Sequence, residues 1–146
     1  TSLTITHAAP GCESRELFKT VLDDNARAIF QGKVIVEKDA QKTDGKQMAR
    51  GLMLSPNAEF DSKPELEIYA DDVACGHGST CMELDPDLVF YCRSRGIPEA
   101  DARALLIESF IGEAIDKIEN EAVREAVSAL ASTRLSSWAA ASGVKG

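Results

Sequence analysis

The sequence predicts an α+β fold, with a strand-rich half followed by a small helical half. Three observations carry this. Before residue 84 the apolar residues come in short bursts, "LTIT", "GKVIVE", "GLMLS" and "PELEIYA", rich in β-branched, Leu and Tyr side chains and punctuated by Gly, Pro and Asn. After residue 84 they recur at steps of three and four, the helical spacing. At the change, Asp85-Pro86 offers an N-cap and a proline in the first helical turn, where a missing N–H costs nothing. The chain is accordingly divided into residues 1–83 and 84–146.

In "ELEIYA", Leu66, Ile68 and Ala70 alternate with Glu67 and Tyr69, so one face turns inward. "KVIVE" is a continuous apolar burst, as expected of a parallel strand covered on both sides. Between the first bursts, "SRELFKTVLDDNARAIF" places Leu17, Phe18, Val21 and Leu22 at helical spacing and predicts a short helical insertion. "AIFQGK" at 28–33 echoes "AEFDSK" at 58–63, a thirty-residue offset that suits a solenoid-like sheet, although two copies do not make a repeat.

In the second half, "DLVFYCRSRG" ends at Gly96, a C′ glycine. Pro98 opens a second helix, "PEADARALLIESFIGEAIDKI", with Glu99 and Asp101 near its positive end. Its apolar stripe is Ala102, Leu105, Leu106, Phe110, Ala114 and Ile118, with Ile107, Ile111 and Ile115 alongside. A third helix, "NEAVREAVSALASTRLSSW", carries Val123, Val127, Leu130 and Trp138, and the tail "ASGVKG" is expected to fray.

Composition excludes several classes. The net charge is −8, and the longest basic feature is "RSR" at 93–95, so nucleic-acid and anionic-membrane partners are not expected. No apolar run approaches the ~18 residues of a membrane span. The chain lacks an initiator methionine and begins directly in a strand-like alternation, as expected of a fragment. Four cysteines in an acidic chain, with no secretory signal at the N-terminus, read as reduced cytoplasmic thiols.

The chemistry-bearing stretch is "ADDVACGHGSTCMELD" at 70–85, in which Cys75, His77 and Cys81 lie close together. If residues 73–77 are extended, Val73, Cys75 and His77 share one face. A thiolate and an imidazole supply two ligands of the four a tetrahedral site wants, leaving the rest to a partner chain. Soft sulfur with imidazole suits zinc or iron–sulfur species over magnesium or calcium. The competing reading is a packed thiol and a turn histidine. Cys12 and Cys92 read as packed thiols, and His7 near Cys12 reads as a turn across Pro10-Gly11. No P-loop, Ser-His-Asp arrangement or paired carboxylates stand out.

The block "PELEIYADDVACGHGSTCMELDPDLVFYCRSRGI", with "GKVIVEKDAQKTDGKQMARGLMLSPNAEFDSKPELEIYADDV" upstream and "ARALLIESFIGEAIDKI" downstream, resembles the C-terminal part of the SufB/SufD family, scaffold subunits for iron–sulfur cluster assembly. The pattern "CGHG" at 75–78, with Gly78 where the SufB pattern has a glutamate, is similar to the SufD branch. Cys81 and Cys92 depart from that pattern and inherit no role. The resemblance implies the C-terminal coils of a right-handed parallel β-helix (residues 1–83) and a helical ATPase-docking domain (residues 84–146). It implies a non-catalytic scaffold that pairs with SufB through the β-helix and docks the ATPase SufC through the helices. His77 and Cys75 become candidates for cluster assembly, and Leu106 and Phe110 for ATPase docking.

On this reading the isolated chain holds no cofactor and binds no metal stably, and an iron–sulfur cluster passes through only in the complex. A homodimer is expected of the chain alone, since exposed strand edges self-pair. The alternative is a small metal-dependent or thiol enzyme using Cys75, His77 and Cys81. A third reading is a structural β-helix cap with no site at all.

Overall fold

The computed structural model describes residues 1–141; the tail expected to fray lies, from residue 142 on, outside the described residues. The chain separates into two compact units, Thr1–Met82 and a second beginning at Glu83. The first contains six strands: β1 (Ser2–His7), β2 (Glu13–Leu22), β3 (Arg27–Val36), β4 (Asp44–Met53), β5 (Glu59–Ile68) and β6 (Gly76–Glu83). The second contains three helices: α1 (Pro86–Arg93), α2 (Glu99–Ile115) and α3 (Glu121–Ala141).

Odd and even strands separate into two sheets, β1-β3-β5 and β2-β4-β6. Consecutive strands thus never pair; each pairs in parallel with the strand one coil later, as in Ser2 with Gln31, Glu13 with Asp44 and Arg27 with Glu59. This is β-helix stacking. The corners stack too: the Gly11 N–H donates to the Gln41 carbonyl at 2.8 Å, and the Lys42 N–H to the Asp72 carbonyl at 2.6 Å. Gly11 and Lys42 both hold positive φ, 71° and 64°, so the same left-handed kink turns the chain in successive coils.

Residues at alternate positions fill the space between the sheets. From β3 these are Phe30, Val34 and Val36, and from β4 Gly45, Gln47, Ala49 and Gly51. Val34, Val36, Ala40 and Ala70 form the buried cluster, with Leu66, Val73 and Cys75 packed against it. The rings of Phe18 on β2 and Phe30 on β3 meet across the interior at 4.5 Å. The outer faces carry charges paired between neighbouring coils, Arg15 with Asp44 and Arg27 with Asp61, each at 2.6 Å.

Three sequence expectations are corrected. The helical insertion over 14–30 is instead β2 and the start of β3. Glu16, Phe18, Thr20 and Leu22 alternate into the sheet, and β4 supplies every ladder partner from Glu13 to Leu22, so tertiary pairing overrides the local spacing. The burst "KVIVE" is not covered equally on both sides: Val34 and Val36 are buried while Ile35 is only partly so. The thirty-residue echo is not the repeat either, because Phe30 pairs with Ser62 and not with Phe60.

In the helical unit the Asp85 carboxylate accepts the Asp87 N–H at 2.8 Å, capping α1 before Pro86. Past the end of α1, Gly96 takes φ 83°. The Asn120 side chain accepts the Val123 N–H at 3.1 Å at the start of α3. α2 stops at Ile115 with Asp116 as its C-cap, so Ile118 falls outside the expected stripe. The fully buried side of α2 is Ala102 and Ile107, while Leu105 is 48% exposed.

Candidate functional site

The candidate residues Cys75 and His77 stand at the entrance to β6, an edge strand of its sheet. The Ala74 N–H donates to the Thr43 carbonyl at 2.8 Å, just as the Asp44 N–H donates to the Cys12 carbonyl at 2.9 Å one coil earlier. Carrying that parallel spacing forward sets Cys75 beside Gly45 and His77 beside Gln47. The outward positions agree. A Cβ on Gly76 would come 3.9 Å from Lys46 Cδ, and one on Gly78 2.7 Å from Met48 Cε, with Lys46 and Met48 on the outer face of β4. By alternation Cys75 and His77 share the inner face, the former half-buried and the latter exposed at the sheet edge.

Cys75 has neighbours that sequence reasoning missed. A Cβ on Gly45 would lie 3.4 Å from Ser14 Oγ, 3.5 Å from Cys75 Sγ and 3.7 Å from His7 Nε2. A hydroxyl, a thiol and an imidazole, each from a different strand or corner, thus gather round one glycine. His7 is 5% exposed and shares a 2.9 Å hydrogen bond with Ser14 Oγ. The turn expected across Pro10-Gly11 is present, and His7 stands just before it, ending β1 with its ring in the interior. The signal that could have found it was the alternation of "LTITH", which puts Leu3, Ile5 and His7 on one face.

Cys81 lies further along β6 and is exposed, while Cys12 and Cys92 are half-buried. Among the described residues, no group of three or more His, Cys, Asp and Glu side chains is placed to hold a metal ion. In the other unit, Leu106 and Phe110 of α2 are both half-buried. Among the described residues, the large apolar side chains exposed there are Leu88, Phe90 and Tyr91 of α1, Leu105 of α2, and Val123 and Leu130 of α3. Among the described residues no helix is long and apolar enough to cross a membrane.

Electrostatically, the outer face beside the site is a set of paired charges. Asp44 sits below the usual carboxylate range, chiefly because the Arg15 guanidinium donates a hydrogen bond to it, with the Arg15 and Lys46 charges adding to the effect. Lys33 and Arg27 are raised, each first by its hydrogen bond to a carboxylate, Glu67 and Asp61 respectively.

A coil of parallel strands that carries Cys-x-His onto its inner edge, followed by capped helices, matches one family along most of its length. Residues 1–110 match the family described as SUF system FeS cluster assembly, SufBD core domain. The chain belongs to the SufBD core-domain family. It is 43% identical over 124 residues to the iron-sulfur cluster assembly protein SufD of Escherichia coli (strain K12), covering 85% of this chain and 29% of that protein. It is 47% identical over 118 residues to an iron-sulfur cluster assembly SufBD family protein of Synechocystis, covering 81% of this chain and 26% of that protein. The iron-sulfur cluster assembly protein SufD of Bacillus subtilis (strain 168) is 36% identical over 121 residues, covering 83% of this chain and 28% of that protein. The chain thus spans between 26% and 29% of the length of these curated SufBD relatives.

Proposed function

We propose that the chain acts as a non-catalytic scaffold in cytoplasmic iron–sulfur cluster assembly. Its β-helix unit pairs with a SufB-type subunit, and its helical unit docks the ATPase SufC. The cluster is cargo, handled at the joint between subunits, with His77 and Cys75 of this chain facing it. The observation that carries the reading is the family match, which runs without a break from the first strand into α2. Two features support the finer roles. β6 is an edge strand, so its outer backbone groups are available to another chain. The helical unit leaves Phe90 71% and Leu130 72% exposed, apolar area of the kind that partners cover.

The test is reconstitution with the cognate SufB and SufC, read by size-exclusion chromatography with light scattering and by cluster formation. A Leu106→Asp, Phe110→Asp double variant is expected to lose SufC. Because both side chains are half-buried, Leu105→Asp serves as the companion that alters an exposed site on the same helix. His77→Ala is expected to leave the complex assembled and to lower cluster formation at least tenfold. A folded set of variants that all retain SufC and full cluster yield would overturn the proposal.

A further inference from the structure

The interior of the β-helix unit contains an anomaly that the packing of apolar residues does not explain. Gln47 is 2% exposed, and neither its Nε2 nor its Oε1 has a hydrogen-bond partner among the protein's groups. Glu16 Oε2 is buried in the same condition. These two residues are ladder partners, one coil apart on β2 and β4. A buried amide or carboxylate oxygen left without a partner is costly, and an apolar pair of similar size would avoid that cost. The fold nonetheless makes room for the amide. A Cβ on Gly32, across the interior, would come 2.6 Å from both Gln47 amide atoms and 2.5 Å from Phe30 Cζ, so a larger residue there would have to displace one or both side chains.

The row does not end at Gln47. The corner hydrogen bond from Ala74 to Thr43 sets His77 as the next rung of the same inner face. Glu16, Gln47 and His77 therefore form one polar column along the coil axis, acid then amide then imidazole, at the ~4.8 Å spacing of neighbouring strands. Side chains stacked at that spacing and not bonded directly are within bridging distance of a single water. Water can donate to the carboxylate and the amide oxygen while accepting from the amide nitrogen.

We infer that ordered water joins Glu16, Gln47 and His77 into a hydrogen-bonded column, and that Gln47 is through it a positioning residue which fixes the tautomer of His77. This rests on the reading of His77 as the site residue. Its consequence is chemical: the tautomer decides which imidazole nitrogen presents a lone pair to a metal-bearing cargo and which carries hydrogen. A histidine held by a glutamate-anchored column would present the same nitrogen at each encounter, without waiting for a chance orientation.

The test exploits the fact that the chain contains only two histidines, His7 and His77. The chain is labelled with 15N-histidine, and long-range 1H–15N correlation is recorded where both rings are neutral, separating Nδ1–H from Nε2–H. The parent is expected to show one tautomer for His77. Gln47→Leu is expected to convert it into an exchanging mixture, while His7, bound to Ser14, keeps its signals and reports an intact fold. Gln47→Glu, which retains only acceptors, is expected to restore a single tautomer, with His77 donating towards position 47. It also decides the matter should the leucine variant fail to fold. A mixture in the parent, an unchanged His77 pattern in folded Gln47→Leu, or a mixture in folded Gln47→Glu would overturn the inference. None of these readouts needs cluster assembly, so failure here leaves the scaffold reading standing, whereas a silent His77→Ala in the assembly assay would remove His77 as the site residue and leave the tautomer result as it is.

Discussion

The two units of this chain solve the burial problem in opposite ways. In the β-helix unit each coil covers the next, so Val34, Val36, Ala49 and Leu52 are almost fully hidden by their own neighbours. Outward charges find partners one coil away, as Arg15 finds Asp44. The helical unit hides far less. Among the described residues only Ala102 and Ile107 are fully covered there, while Leu88, Phe90, Tyr91, Leu105, Val123 and Leu130 stand open. A stack completes itself by repetition, whereas the three helices, of 8, 17 and 21 residues, leave several large apolar side chains uncovered. The contrast leaves the first unit closed on its own repeats and the second with apolar surface for the partner proposed above.

The sharpest way to break that contrast is at Ile107, the largest fully buried side chain. Ile107→Ala is expected to cost ~2–5 kcal/mol, the usual range for a buried isoleucine truncated to alanine. The loss should fall on the helical circular-dichroism signal at 222 nm and leave the strand signal in place. Simultaneous loss of both signals would show that the two units fold as one, and the comparison would collapse.

The converse substitution acts on the stack. Gly32→Val would drive a Cβ into Phe30 and the Gln47 amide, and overpacking of this kind costs ~1–3 kcal/mol. Hydrogen exchange should show lost protection in β3, β4 and β5 with little change in α2. A variant as stable as the parent would mean that Gln47 can leave the interior without penalty, contradicting the polar column as well.

These sites also show what the sequence made legible. The helical half was readable because its signals are local: Asp85-Pro86 caps α1, Gly96 follows its end, and the stripe of α2 repeats within seventeen residues. The strands "LTIT" and "PELEIYA" were readable from alternation. β2 was not, because Leu17, Phe18, Val21 and Leu22 fit a helix as well as a strand, and the partner that decides, β4, lies a full coil away. The candidate site divides in the same manner. That Cys75 and His77 share a face follows from alternation over three residues. That His7 and Ser14 gather with Cys75 at Gly45, or that Glu16 and Gln47 underlie His77, follows only from the stacking register. The echo at 28–33 and 58–63 gave the approximate length of a coil but missed the true offset, which pairs Ala28 with Phe60.

The smallest expected effect tests whether the charges outside the stack matter as its interior does. Asp44 is held below its ordinary value of 3.8, first by the hydrogen bond from Arg15 and then by the Arg15 and Lys46 charges. A carboxylate depressed by folding contributes stability that is fully present above its unfolded value and is lost as the pH falls through the folded one. The thermal midpoint of Arg15→Ala should therefore lie below that of the parent at neutral pH. The pH-dependent part of the gap should close below about pH 4, where Asp44 begins to protonate in the unfolded chain. Both side chains are close to half exposed, 48% for Arg15 and 42% for Asp44, so solvent screens the pair and molar salt should erase most of the difference. A gap that persists unchanged through acid and salt would instead belong to the neutral contacts of Arg15, its hydrogen bonds to the carbonyls of Ser14 and Asp44 at 2.8 Å and 2.7 Å. The outer face would then hold the coils together by backbone capping and not by charge, beside an interior held by apolar packing.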